Sequence, residues 1–284
     1  MKIQMLDRGT VGVGSKPTLF LGTKAQIDKG INLRALRLHD KWLFILMTII
    51  IIGSCSYGFA EKLSFNGQEI LSFSVEMFGM KIGAQTMQSC LLPGSQTLRL
   101  ISETKTTPFA SKIYKLHNQI ETHISMKDSL PIYIKNQIQE GKYVRHWTAE
   151  LDQRNHLGTV TLISGTGNKK IGQGQGGSTP DTLSLQPNTI NIPALIYYLR
   201  MTELRLNNSF SFALLKENDV EKIMVRVAKQ ERVHVPYGDF SALKVVSSSG
   251  DVNIWFTNDK KQLPIRIECQ TNAGWLKADL VGVK

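Results

Sequence analysis

The sequence lacks most of the patterns that identify an enzyme. It has only 3 cysteines in 284 residues, no serine in a G-x-S-x-G pattern, and no histidine close in sequence to Cys90 or Cys269. Gly172, Gly174 and Gly177 fit the glycine spacing of a dinucleotide-binding loop, but no helical apolar pattern follows them, as that loop requires. These absences favour a protein without catalytic activity and without a cofactor.

The excess of basic over acidic residues is smaller outside residues 1–60 than the total net charge suggests. The chain has 34 basic and 23 acidic residues, a net charge of +11. Eight of the basic and three of the acidic residues lie within 1–60, which leaves 26 and 20 in the remaining 224. That excess is too small for a nucleic-acid-binding surface, so we expect no nucleic-acid partner.

The longest apolar run is shorter than a membrane span. Residues 42–52 (WLFILMTIIII) form an uninterrupted run of eleven, whereas spanning a bilayer takes about 20. Basic residues precede the run and small residues follow it as far as Ala60, which is typical of a secretory signal. We therefore assign 42–60 to a signal peptide, with an uncleaved anchor as the alternative, and 1–41 to a disordered leader or a mis-assigned translation start.

Two cleavage sites compete at the end of this segment. The sequence G-F-A ending at Ala60 suits the ordinary signal peptidase, whereas I-G-S-C ending at Cys55 resembles a lipobox, with Cys55 as the acylated residue. Strand-like residues begin near Leu63, so a lipid on Cys55 would leave a tether of roughly 25 Å at full extension. We favour cleavage between Ala60 and Glu61 and release into the periplasm.

The rest of the chain predicts β-strands. Leu71, Phe73 and Val75 alternate with Ser72 and Ser74, the period of a half-buried strand. Similar segments predict strands at 80–91, 96–105, 112–125, 131–139, 143–152, 158–164, 210–216, 223–227, 240–248, 252–257, 265–270 and 274–282. Short strands with one apolar face predict an antiparallel sheet that is solvated on one side.

One segment has helical spacing instead. Residues 192–203 predict a helix of about three turns packed on the sheet, with Asn191 as N-cap and Pro193 in the first turn. The glycine-rich segment 165–181 predicts a loop. With no internal repeat, 61–284 is expected to form a single domain.

A set of potential metal ligands lies on one predicted strand. His117, Glu121 and His123 share a face, and two imidazoles with a carboxylate could bind zinc in a hydrolase. Their spacing matches no familiar ligand pattern, and Lys115 and Gln119 share the same face. We therefore favour a solvated strand face without a metal.

The cysteines allow a disulfide. Removal of Cys55 with the signal would leave Cys90 and Cys269, in a compartment that permits disulfides. A Cys90–Cys269 bridge would join the first and last parts of the sheet. The alternative is two buried free thiols.

Four segments carry a family resemblance. They are 69–75 running into Gly79 and Gly83, NIPALIYYLR at 191–200, VPYGDF at 235–240, and IWFTND at 254–259 with LPIR at 263–266. In this order and spacing they resemble exported bacterial proteins of the domain-of-unknown-function 3108 family over nearly all of 68–284. Asn191 and Ala194 stand where the family usually has Asp and Ser. A helix-capping role survives this change, because Asn also caps helices.

The resemblance implies a fold and a location but no chemistry. It implies an envelope protein of Gram-negative bacteria, in the periplasm or at the outer envelope. The implied fold is a curved antiparallel sheet or half barrel with one short helix, similar to the periplasmic lipoprotein carriers (LolA- and LolB-like). We expect a non-enzymatic protein that binds a lipid, another apolar ligand or an envelope component in the concave face of its sheet. The rival is a structural or protein-interaction role, with an anchor at Cys55, and a metal-dependent hydrolase ranks third.

Overall fold

A computed structural model describes residues 68–166, 180–216, 219–271 and 274–284. In this part of the chain fifteen strands form one curved, unclosed sheet that is accompanied by one α-helix, as the sequence predicts. The first eight strands are β1 Gln68–Met77, β2 Met80–Leu91, β3 Thr97–Thr106, β4 His117–Ser125, β5 Pro131–Glu140, β6 Tyr143–Asp152, β7 Leu157–Gly165 and β8 Asp181–Ser184. The others are β9 Thr189–Ile190, β10 Ser209–Leu215, β11 Val220–Val235, β12 Gly238–Ser247, β13 Val252–Thr257, β14 Pro264–Thr271 and β15 Gly274–Val283.

The sheet grows outwards from its middle. Strands β1 to β8 follow one another towards one edge, and the chain then crosses to the other edge and returns through β9 to β15. The last strand therefore pairs with the first, from Leu71 opposite Val283 to Met77 opposite Leu276. Every pairing is antiparallel except that of β9 with β10, because the helix between these two strands returns the chain in the same direction.

The helix, α1, spans Ile192–Met201. The Asn191 side-chain oxygen accepts a hydrogen bond from the Ala194 amide at 3.1 Å, and Pro193 lies in the first turn, so both capping predictions are confirmed. The helix ends at Thr202, whose backbone is extended and whose hydroxyl donates to the Tyr198 carbonyl at 2.9 Å. Nearly all of α1 is buried, which explains why apolar residues occupy almost every position.

Two hydrophobic cores hold the sheet in its curved shape. The larger core joins α1 to β1–β4 and to β10–β15. The smaller core contains Trp147 and Val160 from β6 and β7 together with Leu215 from β10, a strand near the opposite edge. Side-chain packing thus brings the two edge regions together, although no ladder of hydrogen bonds closes the sheet.

Three features of the strands differ from the prediction. Strand β11 continues to Val235 rather than ending at 227, since Val233 and Val235 are buried among its charged residues. The short edge strands β8 and β9 have no apolar alternation to reveal them. Strand β4 begins at His117, because a 3₁₀ turn at Ala110–Lys112 occupies the preceding connection.

The proposed disulfide is wrong for this fold. Cys90 and Cys269 are both free thiols. Cys90 is on β2 and Cys269 is on β14, and strands β1 and β15 lie between these two strands. Cys90 pairs with Gln68 at one end of β1. Cys269 pairs with Leu276, which lies opposite the other end of β1. A disulfide needs Cα atoms within about 7 Å, and this separation far exceeds that limit.

Several predictions lie outside the described residues. They are the leader 1–41, the signal segment 42–60 with Cys55 and Ala60, the proposed mature start at Glu61, and most of the glycine-rich loop. Within the described ranges, no helix combines the length and the apolar character needed to cross a membrane.

Candidate ligand-binding cavity

One end of the concave face of the sheet is not filled by side chains. A cavity of about 1050 Å³ lies between the sheet and the first turn of α1, where Ile192, Pro193 and Ile196 form part of its wall. Its volume is at the upper end of the range of about 300–1,000 Å³ that is usual for small-molecule sites. The space is therefore large enough for an elongated organic ligand.

The cavity has an apolar wall on the side of the last strands. This wall consists of aliphatic and thioether side chains from β1, β13, β14 and β15, namely Val75, Met77, Val252, Ile267, Leu276 and Ala278. The Cys269 side chain also lines the cavity, and burial raises the pKa of its thiol. A thiol of this kind behaves as a small apolar group, so this side of the cavity offers no charged group to a ligand.

The opposite wall carries most of the polar groups of the cavity. Side chains from β2 to β5 form it, and Gln85, Ser102, Thr104, Asn118 and Glu140 lie there among apolar residues such as Ile82, Met87 and Ile120. The Gln85 amide donates to the Ser102 hydroxyl at 3.1 Å, and the Asn118 amide donates to the Glu140 carboxylate at 2.7 Å. The cavity is therefore mainly apolar, and most of the groups that can hydrogen-bond to a hydroxyl, amide or ester lie on one of its walls.

Exposed apolar side chains surround the mouth of the cavity. Phe78 and Met80 come from the turn between β1 and β2, and Ile113 and Tyr114 come from the connection between β3 and β4. Phe78 is 76% exposed and Ile113 83% exposed, although both line the cavity. The mouth thus presents hydrocarbon to the surroundings.

The other end of the concave face is solidly filled. Phe73, Leu195, Tyr197, Phe256 and Leu280 are almost completely buried there, between the sheet and α1. One part of the concave face is therefore a packed core, and the part near the first turn of α1 is open.

A buried ion pair anchors α1 at the filled end. Arg200 donates to both carboxylate oxygens of Glu69 on β1, at 2.6 and 3.0 Å. Burial is the largest single influence and opposes the charge of Arg200, but the hydrogen bonds and charge interactions with Glu69 and Tyr197 together outweigh it, and the pKa of the guanidinium is raised. Burial also raises the pKa of the neighbouring Tyr197 phenol to about 12.

Comparison with known proteins assigns the family. Residues 72–281 match the family described as "Protein of unknown function (DUF3108)". The chain belongs to this DUF3108 family. No curated protein matches it. Among solved structures, a β-barrel-like protein of domain of unknown function DUF1849 from Brucella abortus aligns with a TM-score of 0.48 and 10% identity, over 77% of this chain and 97% of that one.

The segments that carry the DUF3108 resemblance meet at the filled end, although Val75, Ile192, Pro193 and Ile196 of these segments also line the cavity. The Asp259 carboxylate accepts a hydrogen bond from the backbone amide of Gln262 at 3.0 Å and so stabilises the turn after β13. The Gln262 side chain then donates to the carbonyls of Leu199 at 2.9 Å and Thr202 at 2.7 Å, which caps the end of α1. These residues hold the helix on the sheet, so their role in this DUF3108 chain is structural.

The three potential metal ligands do not converge. His117, Glu121 and His123 lie on the convex face of β4, since the alternate residues of that strand line the cavity. His117 contacts Glu103 on β3 at 2.9 Å, whereas Glu121 contacts His123 at 2.9 Å and Arg99 at 2.7 Å. The Arg99 hydrogen bond lowers the pKa of Glu121, and Arg99 and His123 both contact the same oxygen of Glu121, Oε1. No group of three or more metal-ligating side chains occurs among the described residues.

Sequence reasoning missed the residues that form the cavity. Gln85 and Thr104 are single polar residues at inward positions of their strands, and nothing distinguishes them from solvated ones in one sequence. Phe78 carried a usable signal, because an aromatic residue immediately before glycine in a two-residue hairpin turn is unusual.

Proposed function

We propose that the protein binds an amphiphilic molecule with a long apolar part, such as a lipid or fatty acid, and that it acts as a binding protein rather than as an enzyme. The observation that carries the proposal is the unfilled cavity of about 1050 Å³, which is mainly apolar and has most of its polar groups on one wall. The apolar part of the ligand would lie against β1, β14 and β15. Its polar group would lie near Asn118 and Glu140, which line the cavity at the ends of β4 and β5 closest to the mouth.

A site of action in the cell envelope is part of this proposal. Its support is the signal-like segment 42–60, which would carry the protein out of the cytoplasm. The intact mass of the protein purified from the envelope tests it. The mass of a chain that begins at Glu61 would support export and release. The mass of a chain that begins at a lipid-modified Cys55 would support anchoring. An unprocessed chain recovered from the cytosol would contradict export.

The binding proposal is tested with two matched tryptophan variants. Thr104 lines the cavity, whereas Thr86 lies on the adjacent strand β2 at a position that faces the convex side. We expect Thr104→Trp to weaken the binding of a dansyl-labelled fatty acid at least about tenfold by filling the space, and Thr86→Trp to leave binding within about twofold. Equal effects of the two variants, or no binding by the natural chain, would contradict the proposal.

Thiol chemistry provides an independent readout. Cys269 lines the cavity, and Cys90 faces away from it. Unlabelled oleic acid should slow the alkylation of Cys269 by N-ethylmaleimide and leave that of Cys90 unchanged, as peptide mass mapping will show. Equal protection of both thiols would indicate a general stabilisation of the fold instead of a ligand in the cavity.

A further inference from the structure

We propose that the mouth of the cavity docks on the surface of an anionic lipid bilayer, so that a ligand passes between bilayer and cavity without crossing water. This inference rests on the proposed function and adds the partner at the mouth. The partner that we propose is a membrane surface, because exposed apolar side chains and exposed lysines lie together around one opening. Such a pattern suits the boundary between acyl chains and anionic headgroups.

The apolar part of the surface comes from two separate connections. Phe78 and Met80 belong to the β1–β2 turn, and Phe109, Ile113 and Tyr114 belong to the connection between β3 and β4. All five side chains are exposed, and four of them line the same cavity. Single exposed apolar residues are ordinary, but a cluster around a cavity mouth marks an interaction site.

The backbone at Phe78 supports a role outside the fold. Its φ is +51°, in the left-handed region, and the two-residue turn that it forms with Gly79 is one for which Asn-Gly is strongly preferred. A bulky aromatic residue is unfavourable in this conformation. The ring lies against the backbone of Gly274, where an added Cβ would be only 2.9 Å from the ring. Asparagine suits this backbone conformation better than phenylalanine does, and most of the ring is exposed, so the ring is better explained by what it contacts outside the chain.

Exposed lysines flank these apolar residues. Lys81 follows Met80, Lys112 and Lys115 bracket Ile113, and Lys142 lies in the β5–β6 turn at the same end of the sheet. The β5–β6 turn is tied to the β3–β4 connection, because the Gly141 amide donates to the Lys115 carbonyl at 2.7 Å. A lysine near an anionic membrane surface is attracted to it, so four around one opening favour this partner.

The acidic groups nearest these lysines are engaged within the protein. Glu76 contacts Lys277 at 2.8 Å, Glu103 contacts both Lys105 and His117, and Glu140 accepts from Asn118. Asp251, at the β12–β13 turn, is an exposed carboxylate at the same end of the sheet. The apolar connections themselves contain lysines and no acidic residue, which gives this side of the mouth a positive charge.

Depth-sensitive fluorescence tests the docking at a single position. Phe78→Trp places a reporter at the mouth, and Leu206→Trp places one at an exposed apolar residue after α1. With vesicles of phosphatidylglycerol and phosphatidylcholine, lipids brominated in their acyl chains should quench added fluorescence of Phe78→Trp and not of Leu206→Trp. This readout is specific to the mouth, whatever a signal segment or lipid anchor contributes to membrane binding. Equal quenching of both variants, or of neither, would overturn the proposal.

Vesicle flotation separates the apolar from the charged contribution. We expect Phe78→Asn combined with Ile113→Ser to reduce the fraction of protein bound to vesicles several-fold. The control is Leu157→Ser combined with Leu206→Ser, a matched pair of exposed residues away from the mouth, which should leave this fraction unchanged. Replacement of the four lysines by glutamine should remove the preference for phosphatidylglycerol over phosphatidylcholine, and added salt should do the same.

The two proposals fail in distinguishable ways. A Phe109→Ser chain, changed at an exposed residue of the mouth that does not line the cavity, should bind vesicles less well and still bind the dansyl-labelled fatty acid in solution within about twofold. Fatty acid binding without any vesicle binding by the natural chain would overturn the docking and leave the proposed function intact. Light scattering that shows a dimer lost in this variant would mean that the mouth is an interface between two copies of the chain, and would also overturn it.

Discussion

The two ends of the concave face differ although the same strands form both. At one end α1 fills the space and side chains such as Phe73 and Leu195 are completely buried, whereas at the other end a cavity remains. The lengths of the elements explain the difference. Ten residues of β1 extend about 33 Å, whereas ten residues of helix extend about 15 Å. A short helix anchored at one end of long strands can cover only part of their length, and the rest stays open.

The anchor at the filled end should be the most sensitive point of the fold. Arg200→Ala leaves the Glu69 carboxylate partly buried without its partner, and we expect the free energy of unfolding to fall by about 3–5 kcal/mol. Urea denaturation measures this loss. Replacement of the pair by leucine and methionine (Glu69→Leu with Arg200→Met) should recover much of it, because no uncompensated charge remains. A loss below about 1 kcal/mol for Arg200→Ala would show that this pair does not anchor α1.

Two isoleucines on one strand test the comparison directly. Ile265 is 0% exposed at the filled end of β14, and Ile267, two residues further on, is 8% exposed and lines the cavity. Ile265→Ala should cost about 3–4 kcal/mol, because it opens a new void in a packed core. Ile267→Ala should cost about 1–2 kcal/mol, because it only enlarges a space that is already present. Equal losses in urea denaturation would mean that the cavity is filled in solution.

The filled end should also be sensitive to alkaline pH. Burial raises the pKa of Tyr197 from 10.0 to about 12, so the folded state holds this proton more tightly than the unfolded state. The associated stability is fully present below about pH 10 and is lost as the pH rises towards 12, up to about 3 kcal/mol. Tyr197→Phe should remove this part of the alkaline decline in urea denaturation. Tyr143→Phe, at an exposed position, is the control and should follow the natural chain.

Periodicity predicted most of the fold because each strand has one buried and one solvated face. The alternation of Leu71, Phe73 and Val75 is a local consequence of that burial, and it placed most strands within a few residues. The second half of β11 escaped because a bulge and the polar run 229–232 separate its buried Val233 and Val235 from Val227, and the edge strands escaped because they are too short to show alternation. Likewise, the Asn191 cap was visible in the sequence, whereas its second hydrogen bond, to Thr122 on β4 at 2.7 Å, depends on a neighbour that is distant in the chain.

Periodicity and capping patterns in the sequence could not predict the candidate site. The sequence directed attention to His117, Glu121 and His123, which share a face but turn it to the convex side. It also suggested a pairing of Cys90 with Cys269, whose strands prove to be separated by two others. The residue types and their odd or even positions along a strand indicate which side chains share a face of that strand. They do not indicate which face of the sheet becomes concave or which strands become neighbours.

By itself the sequence determined a sheet of short strands with one buried face, a capped helix and membership of one family, because these depend on local periodicity, capping and motif spacing. Only the tertiary structure decided that the first and last strands pair at the centre and that the helix fills part of the concave face. The same holds for the grouping of polar side chains on one wall of the remaining space. The physical reason is that a cavity is made of residues far apart in the chain, and its existence depends on what the packing of one short helix leaves uncovered.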